Sequence, residues 1–212
     1  MNIETMSVGE LGANCYIVYQ EGEALIFDPG GEPEKIIAFI DEHQLVPQAI
    51  LLTHAHFDHI GGVDALRKHY QIDVYLHEAE AHWLTDPNLN RSTAFTRQEV
   101  KTDPPEHLLT QGTLTLGSFT FEVIHTPGHS PGSVSFNFIE DDIIISGDVL
   151  FKFGVGRTDL PGGSFKQLAN VIQTKLYTLD PTYIVYPGHG SPTTIGAEKH
   201  LNPFVRPIKK SR

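Results

Sequence analysis

The chain has 212 residues, 40% of them hydrophobic and 19% charged, with 15 Lys and Arg against 26 Asp and Glu. That is bulk enough for a real core, and the net charge of −11 argues against wrapping nucleic acid, which needs a Lys/Arg field to displace phosphate counterions. No apolar stretch reaches the roughly 18 residues of a membrane span. Met1-Asn2-Ile3-Glu4-Thr5 also lacks the regions of a secretory leader, so a cytoplasmic protein is expected.

Residues 1 to 28 read as strands, with Ala13 to Tyr19 and Ala24 to Phe27 apolar around the turn-like Glu21-Gly22-Glu23. Cys15, the single cysteine, has no partner for an internal disulfide and reads as a small buried hydrophobe. After Asp28-Pro29-Gly30-Gly31, the stretch Glu34 to Leu45 places Ile36, Ile37 and Ile40 at helical spacing behind acidic Glu32 and Glu34. Ala49 to Leu52 is a buried strand, Val63, Leu66 and Tyr70 share a helix face, and Val74 to Leu76 is a short strand.

From Asp86 to Gly112 the chain is polar, with Pro87, Pro104 and Pro105, and reads as a long lid or substrate loop. Strand-like runs follow at Leu114 to Leu116, Phe119 to Ile124, Ser133 to Phe138 and Ile143 to Ile145. Ser164 can cap a helix whose Leu168, Val171, Ile172 and Leu176 line one face, and Tyr183 to Tyr186 is a last strand. Each half runs strands, helix, then strand and loop. This predicts an α/β fold in one domain spanning 1–212, with two sheets packed face to face and helices outside. The basic cluster of Arg206, Lys209, Lys210 and Arg212 reads as a solvated tail.

The chemistry concentrates in Thr53-His54-Ala55-His56-Phe57-Asp58-His59-Ile60-Gly61-Gly62, which puts His54, His56, Asp58 and His59 directly after a strand. Imidazole and carboxylate suit divalent transition metals, and open sheets commonly build their sites at the carboxyl ends of strands. His129, Asp148 and His189 share that setting, each just past an apolar strand with a glycine immediately before it. Glycine lets the backbone turn so that the side chain points into a shared cleft. Five imidazoles and two carboxylates are too many for one tetrahedral ion and suit two, which a carboxylate can bridge. Two ions about 3.5 Å apart would share a water and lower its pKa toward neutrality. Zinc is the first expectation for both, and iron or manganese accept the same ligands.

Other candidates are weaker. His77 reads as a cap or surface residue, and His43, His69, His82, His107 and His200 as solvated. Trp83, Phe95, Phe151 and Phe153 read as packing, with a substrate pocket as the alternative.

The set His54-x-His56-x-Asp58-His59, His129, Asp148, His189 resembles the metallo-β-lactamase superfamily, over nearly the whole chain. The resemblance implies an αβ/βα sandwich of two mixed sheets flanked by helices. It implies that His54, His56 and His129 hold a first metal, that Asp58, His59 and His189 hold a second, and that Asp148 bridges them. Asp58 would also serve as proton acceptor. Asp28 would support the ligand loop from behind, its other reading being a turn residue before Pro29. The ligand set is closer to the glyoxalase II-like hydrolases than to the antibiotic-degrading members. Gly147 to Phe151, Gly156-Arg157-Thr158-Asp159, Thr194-Ile195-Gly196 and Asn202-Pro203-Phe204 are similar to the small single-domain branch.

That likeness implies hydrolysis of a small-molecule thioester of a 2-hydroxy acid, of the S-lactoylglutathione type. A mononuclear iron persulfide dioxygenase using His54, His129 and Asp148, or a lactone hydrolase, are the alternatives. Arg157 falls where glyoxalase II carries a cation that helps hold glutathione, its other reading being a salt bridge to Asp159. The chain departs from glyoxalase II in two respects. No C-terminal helical glutathione-binding domain is expected, and Asp159 and Ser191 stand where that family has tyrosines. No membrane or nucleic-acid partner is expected, and the sequence is silent on oligomeric state.

Overall fold

Runs such as Ala24 to Phe27 and Ile143 to Ile145 are apolar at every position, and a strand of that kind needs cover on both faces. The computed structural model, which describes residues 1–208, supplies it with two packed sheets. The strands β1 (Asn2–Val8), β2 (Ala13–Gln20), β3 (Glu23–Phe27), β4 (Val46–Leu51), β5 (Asp73–His77) and β6 (His107–Leu109) form one six-stranded sheet in that order. Its first two pairings are antiparallel and the other three parallel.

The strands β7 (Gly112–Leu116), β8 (Phe119–His125), β9 (Val134–Phe138) and β10 (Ile143–Gly147) belong to the second sheet. A small hairpin of β11 (Leu150–Phe151) and β12 (Gly154–Val155) comes next, and β13 (Ile184–Pro187) and β14 (Thr193–Thr194) complete that sheet. Its spatial order is β14-β13-β10-β9-β8-β7, with β10 and β13 parallel and the other pairs antiparallel. The helices are α1 (Pro33–Glu42), α2 (Phe57–Ile60), α3 (Val63–Tyr70), α4 (Ser92–Phe95), α5 (Phe165–Thr174) and α6 (Ile195–Leu201).

Alternation along each strand sends successive side chains to opposite faces. Val18, Leu25 and Leu51 therefore meet Phe121, Phe136 and Ile145 between the sheets, while Ile17, Ile26 and Ile50 pack outward on Ile36, Ile40, Val63 and Leu66. On the far side Ile144 and Val185 pack on Leu168, Ile172 and Ile195. Phe27 and Phe136 cross the middle edge-on, with ring centroids 5.1 Å apart. The result is the helix–sheet–sheet–helix sandwich that the sequence pattern implied.

Two boundaries and one segment differ from expectation. The first helix stops at Glu42 rather than Leu45, because Gln44 takes a left-handed φ of 54°. The Ser164-capped helix ends at Thr174, and Leu176 begins a separate short 3₁₀ turn. The stretch 86–112 is not a plain loop, since it contains α4 and β6. β6 is a three-residue edge strand held by backbone pairing to β5, with Leu108 56% exposed, so it left no hydrophobic pattern to read. Arg206 is exposed as expected, whereas Lys209, Lys210 and Arg212 lie outside the described residues. Among the described residues no helix is long and apolar enough to cross a membrane.

Candidate active site

β3 and β4 run side by side in one direction, and in the second sheet β8, β10 and β13 share a direction, with the antiparallel β9 between β8 and β10. Their carboxyl ends carry Asp28, His54 and His56, His129, Asp148 and His189, while α2 adds Asp58 and His59. Backbone bonds join the two sheets at this edge: Val134 N–H donates to the Thr53 carbonyl at 2.9 Å and Asn14 N–H to Gly188 at 2.7 Å. Asn14 Nδ2 and Tyr16 Oη also donate to the Pro187 carbonyl, at 2.9 and 2.5 Å, which fixes the loop bearing His189.

The glycines before the ligands have two different reasons. Gly147 has φ +52°, and a side chain there would strike Thr53. Gly188 needs room instead, since a Cβ would collide with the Asp148 carboxylate and sit 2.9 Å from the His59 ring.

All seven predicted ligands come together. The ligand atoms of His54, His56 and His129 lie within 4.8 Å of one another, and so do those of Asp58, His59 and His189. Asp148 stands between the triads: Oδ2 is 3.5 Å from His129 Nε2 and 3.8 Å from His189 Nε2, while Oδ1 is 3.5 Å from His59 Nε2. Asp58 Oδ2 is 3.2 Å from His189 Nε2 and 3.7 Å from His59 Nε2. Atoms bound at about 2.1 Å around a tetrahedral ion stand about 3.4 Å apart, so the separations around Asp58 and Asp148 match a metal's coordination shell.

Hydrogen bonds on the far side of three of the rings set which nitrogen faces inward. Asp28 Oδ1 accepts from Thr53 N at 2.7 Å, and Oδ2 accepts from Thr53 Oγ1 at 2.6 Å. With its proton so committed, Thr53 Oγ1 accepts from His54 Nδ1 at 3.0 Å. Asp28 Oδ2 also accepts from His59 Nδ1 at 3.0 Å, and the Arg157 carbonyl accepts from His129 Nδ1 at 2.8 Å. His54, His59 and His129 therefore turn Nε2 toward the centre, the outer-shell arrangement of metal-binding histidines. With both oxygens so engaged, Asp28 is placed to support the rings of His54 and His59, although its φ of 47° is left-handed.

The inner atoms want a cation. His54 Nε2, His59 Nε2 and Asp148 Oδ1 are buried with no hydrogen-bond partner among the described residues. His129 Nε2 stands 2.9 Å from His56 Nδ1; if both present lone pairs they repel, and if His56 donates, its own buried Nε2 is left unpartnered. Burial and the neighbouring imidazoles hold His54 and His56 well below the usual histidine range. Burial opposes charge on His59 too, but Asp58, Asp148 and Asp28 outweigh it and push that ring up to about 10. Three carboxylates around one imidazole make a site short of positive charge, which divalent ions would supply. The donor set fits two such ions.

Glu80 is a functional neighbour that the sequence reading missed. Fully buried, it accepts from Ala55 N at 2.7 Å through Oε2 and from Gly132 N at 2.7 Å through Oε1. It thus ties the loop of His54 and His56 to the loop of His129. Burial pushes its carboxyl up, against the bonds from Ser130 and the two backbone groups.

Arg157 forms a two-pronged pair with Asp159, Nε to Oδ1 at 2.8 Å and Nη2 to Oδ2 at 2.7 Å. The pocket beside Asp58 and His189 is lined by Leu11, Phe95, Leu160, Arg91 and Arg157. His77 caps a 3₁₀ turn by accepting from Ala79 N, and the five histidines read as solvated are exposed. Trp83 is buried against the core, Phe95 and Phe153 are exposed, and Cys15 is fully buried.

The profile of the metallo-beta-lactamase superfamily matches residues 8–189. The chain belongs to that superfamily. Among similar solved structures, the one described as BLEG-1 B3 metallo-beta-lactamase superposes with a TM-score of 0.94 at 50% identity, covering 96% of this chain and 99% of that one. TTHA1623 in a di-iron-bound form superposes with a TM-score of 0.85 at 38% identity, covering 95% of this chain and 100% of that one. The hydroxyacylglutathione hydrolase GloC of Haemophilus influenzae is 38% identical over 208 residues, 97% of this chain and 98% of its own. These relatives put the chain among the metallo-hydrolases.

Proposed function

We propose that the chain is a dinuclear metal-dependent hydrolase of a thioester of a small 2-hydroxy acid, of the S-lactoylglutathione type. The observation that carries the two-metal part is Asp148, whose two oxygens face different triads. The 38% identity to GloC supports the thioester. Two divalent ions bound there would lower the pKa of a shared water and polarise the acyl carbonyl. His54, His56 and His129 would hold one ion, Asp58, His59 and His189 the other. Asp58, which lines the pocket, would accept the proton of the attacking water through Oδ1, its other oxygen facing His59 and His189. A thiol of pKa near 8.5 leaves as thiolate without a strong acid, and the site supplies none beyond its ligands. His189, 28% exposed, marks the side from which substrate would enter.

The likeness to BLEG-1 favours a second reading, cyclic-amide hydrolysis by the same attack. Elemental analysis together with a panel of S-D-lactoylglutathione, a lactone, nitrocefin and a persulfide tests these readings. The proposal expects two metals per chain and thiol release without oxygen uptake. A protein loaded with two metals yet inert toward every thioester overturns it, and one iron with oxygen consumption points to the dioxygenase.

A further inference from the structure

Among the described residues, the pocket wall holds one cation without an ion-pair partner. Arg91 lines it with His56, Asp58 and His189, and no carboxylate among the described residues pairs with its guanidinium. Nη1 donates to the Asn88 carbonyl at 3.2 Å, and Nε is buried without a partner. A guanidinium offers five N–H donors in a fork shaped for a carboxylate, so most of this one remains unused. Arg157 on the same wall is different, because its fork is filled by Asp159.

The position of Arg91 is built rather than incidental. Its backbone is left-handed, with φ 74°, a conformation an arginine adopts only where its surroundings impose it. The preceding Asn90 is fully buried and holds the turn. Its Nδ2 donates to the Trp83 and Val100 carbonyls at 3.2 and 2.8 Å, and its Oδ1 accepts from Ser92 N at 3.0 Å. The Asn90 carbonyl accepts from Phe57 N at 2.9 Å, and Phe57 lies between the ligands His56 and Asp58. Arg91 is thus fastened to the ligand loop itself. In a chain of net charge −11, with Asp58 lining the same pocket, an unpaired arginine at that place suits an anionic guest.

We propose that Arg91 is the anchor for a carboxylate that the substrate carries away from its scissile bond, so that the pocket selects anionic thioesters over neutral ones. The apolar side chains of Leu11, Phe95 and Leu160 on the same wall would pack along the chain joining carboxylate and acyl group. This rests on the hydrolase reading and narrows its substrate class.

The test measures kcat and KM for S-D-lactoylglutathione and for its diethyl ester, in which both carboxylates are blocked, with wild type, Arg91→Ala, Arg91→Lys and Arg91→Asn. Asparagine tolerates the left-handed backbone and separates loss of charge from loss of fold. Calorimetric binding of S-methylglutathione, which carries no acyl bond, runs beside it. One charge-assisted bidentate contact predicts that the ratio of kcat/KM, free acid over diester, falls about tenfold or more in the alanine and asparagine variants. The fall should come through KM, with lysine in between.

A merely structural role lowers both substrates together and leaves the ratio unchanged, which overturns the proposal. Should wild type hydrolyse no thioester, the hydrolase reading falls and calorimetry decides the anchor. Weaker binding of S-methylglutathione by the alanine variant upholds it. Equal binding by both proteins, or none by wild type, ends it.

Discussion

Asp28 Oδ2 stands 3.0 Å from His59 Nδ1, and through the Thr53 hydroxyl the same oxygen orients His54. One buried carboxylate thus sets the inward nitrogen of a histidine in each triad. Replacing Asp28 by Ala leaves the seven ligands in place and frees two rings to turn. Outer-shell losses of this kind weaken metal binding about 10- to 100-fold. Competition with a chromophoric chelator measures it, and an unchanged affinity would remove Asp28 from the site.

Glu80→Gln keeps the shape of the clamp between the two ligand loops but presents an amide N–H₂ to one of two backbone N–H groups. A buried donor left unsatisfied costs about 1–3 kcal/mol, read from urea unfolding of the metal-free protein. Metal affinity should drop as well, because Ala55 lies between His54 and His56. A variant as stable as wild type would show that the clamp is dispensable.

Gly188→Ala tests the closeness of the second sheet to the centre. The added methyl collides with the Asp148 carboxylate, so metal content should fall from two ions toward one or none while far-ultraviolet circular dichroism stays native. Full occupancy in this variant contradicts the geometry.

Stripping metal with a chelator leaves Asp58, Asp148 and the buried imidazoles to face one another without a cation. At free metal a hundredfold above Kd, binding stabilises by about 2.7 kcal/mol, so the metal-free protein should melt about 5–10 °C lower. Differential scanning calorimetry before and after adding metal back measures the shift.

Some of the site was open to reading in one dimension because its residues have chemistry that shows by type and place. His54, His56, Asp58 and His59 crowd one loop, and His129, Asp148 and His189 each follow an apolar strand and a glycine. Glu80, Asn14 and Tyr16 leave no such trace. Their partners are backbone groups remote in the chain, 25 and 52 residues from Glu80 and 173 from Asn14, and accepting or donating a main-chain bond imposes no spacing. The edge strand β6 escaped for the same reason, being defined by pairing with β5 rather than by apolar alternation.

By itself, the amino-acid sequence determined the superfamily, the two-sheet sandwich and which seven side chains gather at one edge, because hydrophobic periodicity and ligand chemistry are local properties. Only the tertiary structure decided how those residues are held and which charges remain available. Both oxygens of Asp28 are taken by Thr53 and His59, and the fork of Arg157 is filled by Asp159. Arg91, set in a polar stretch without a motif, emerged as the unpaired cation of the pocket. Whether a charge is spent or free depends on distances between side chains, and only folding sets those distances.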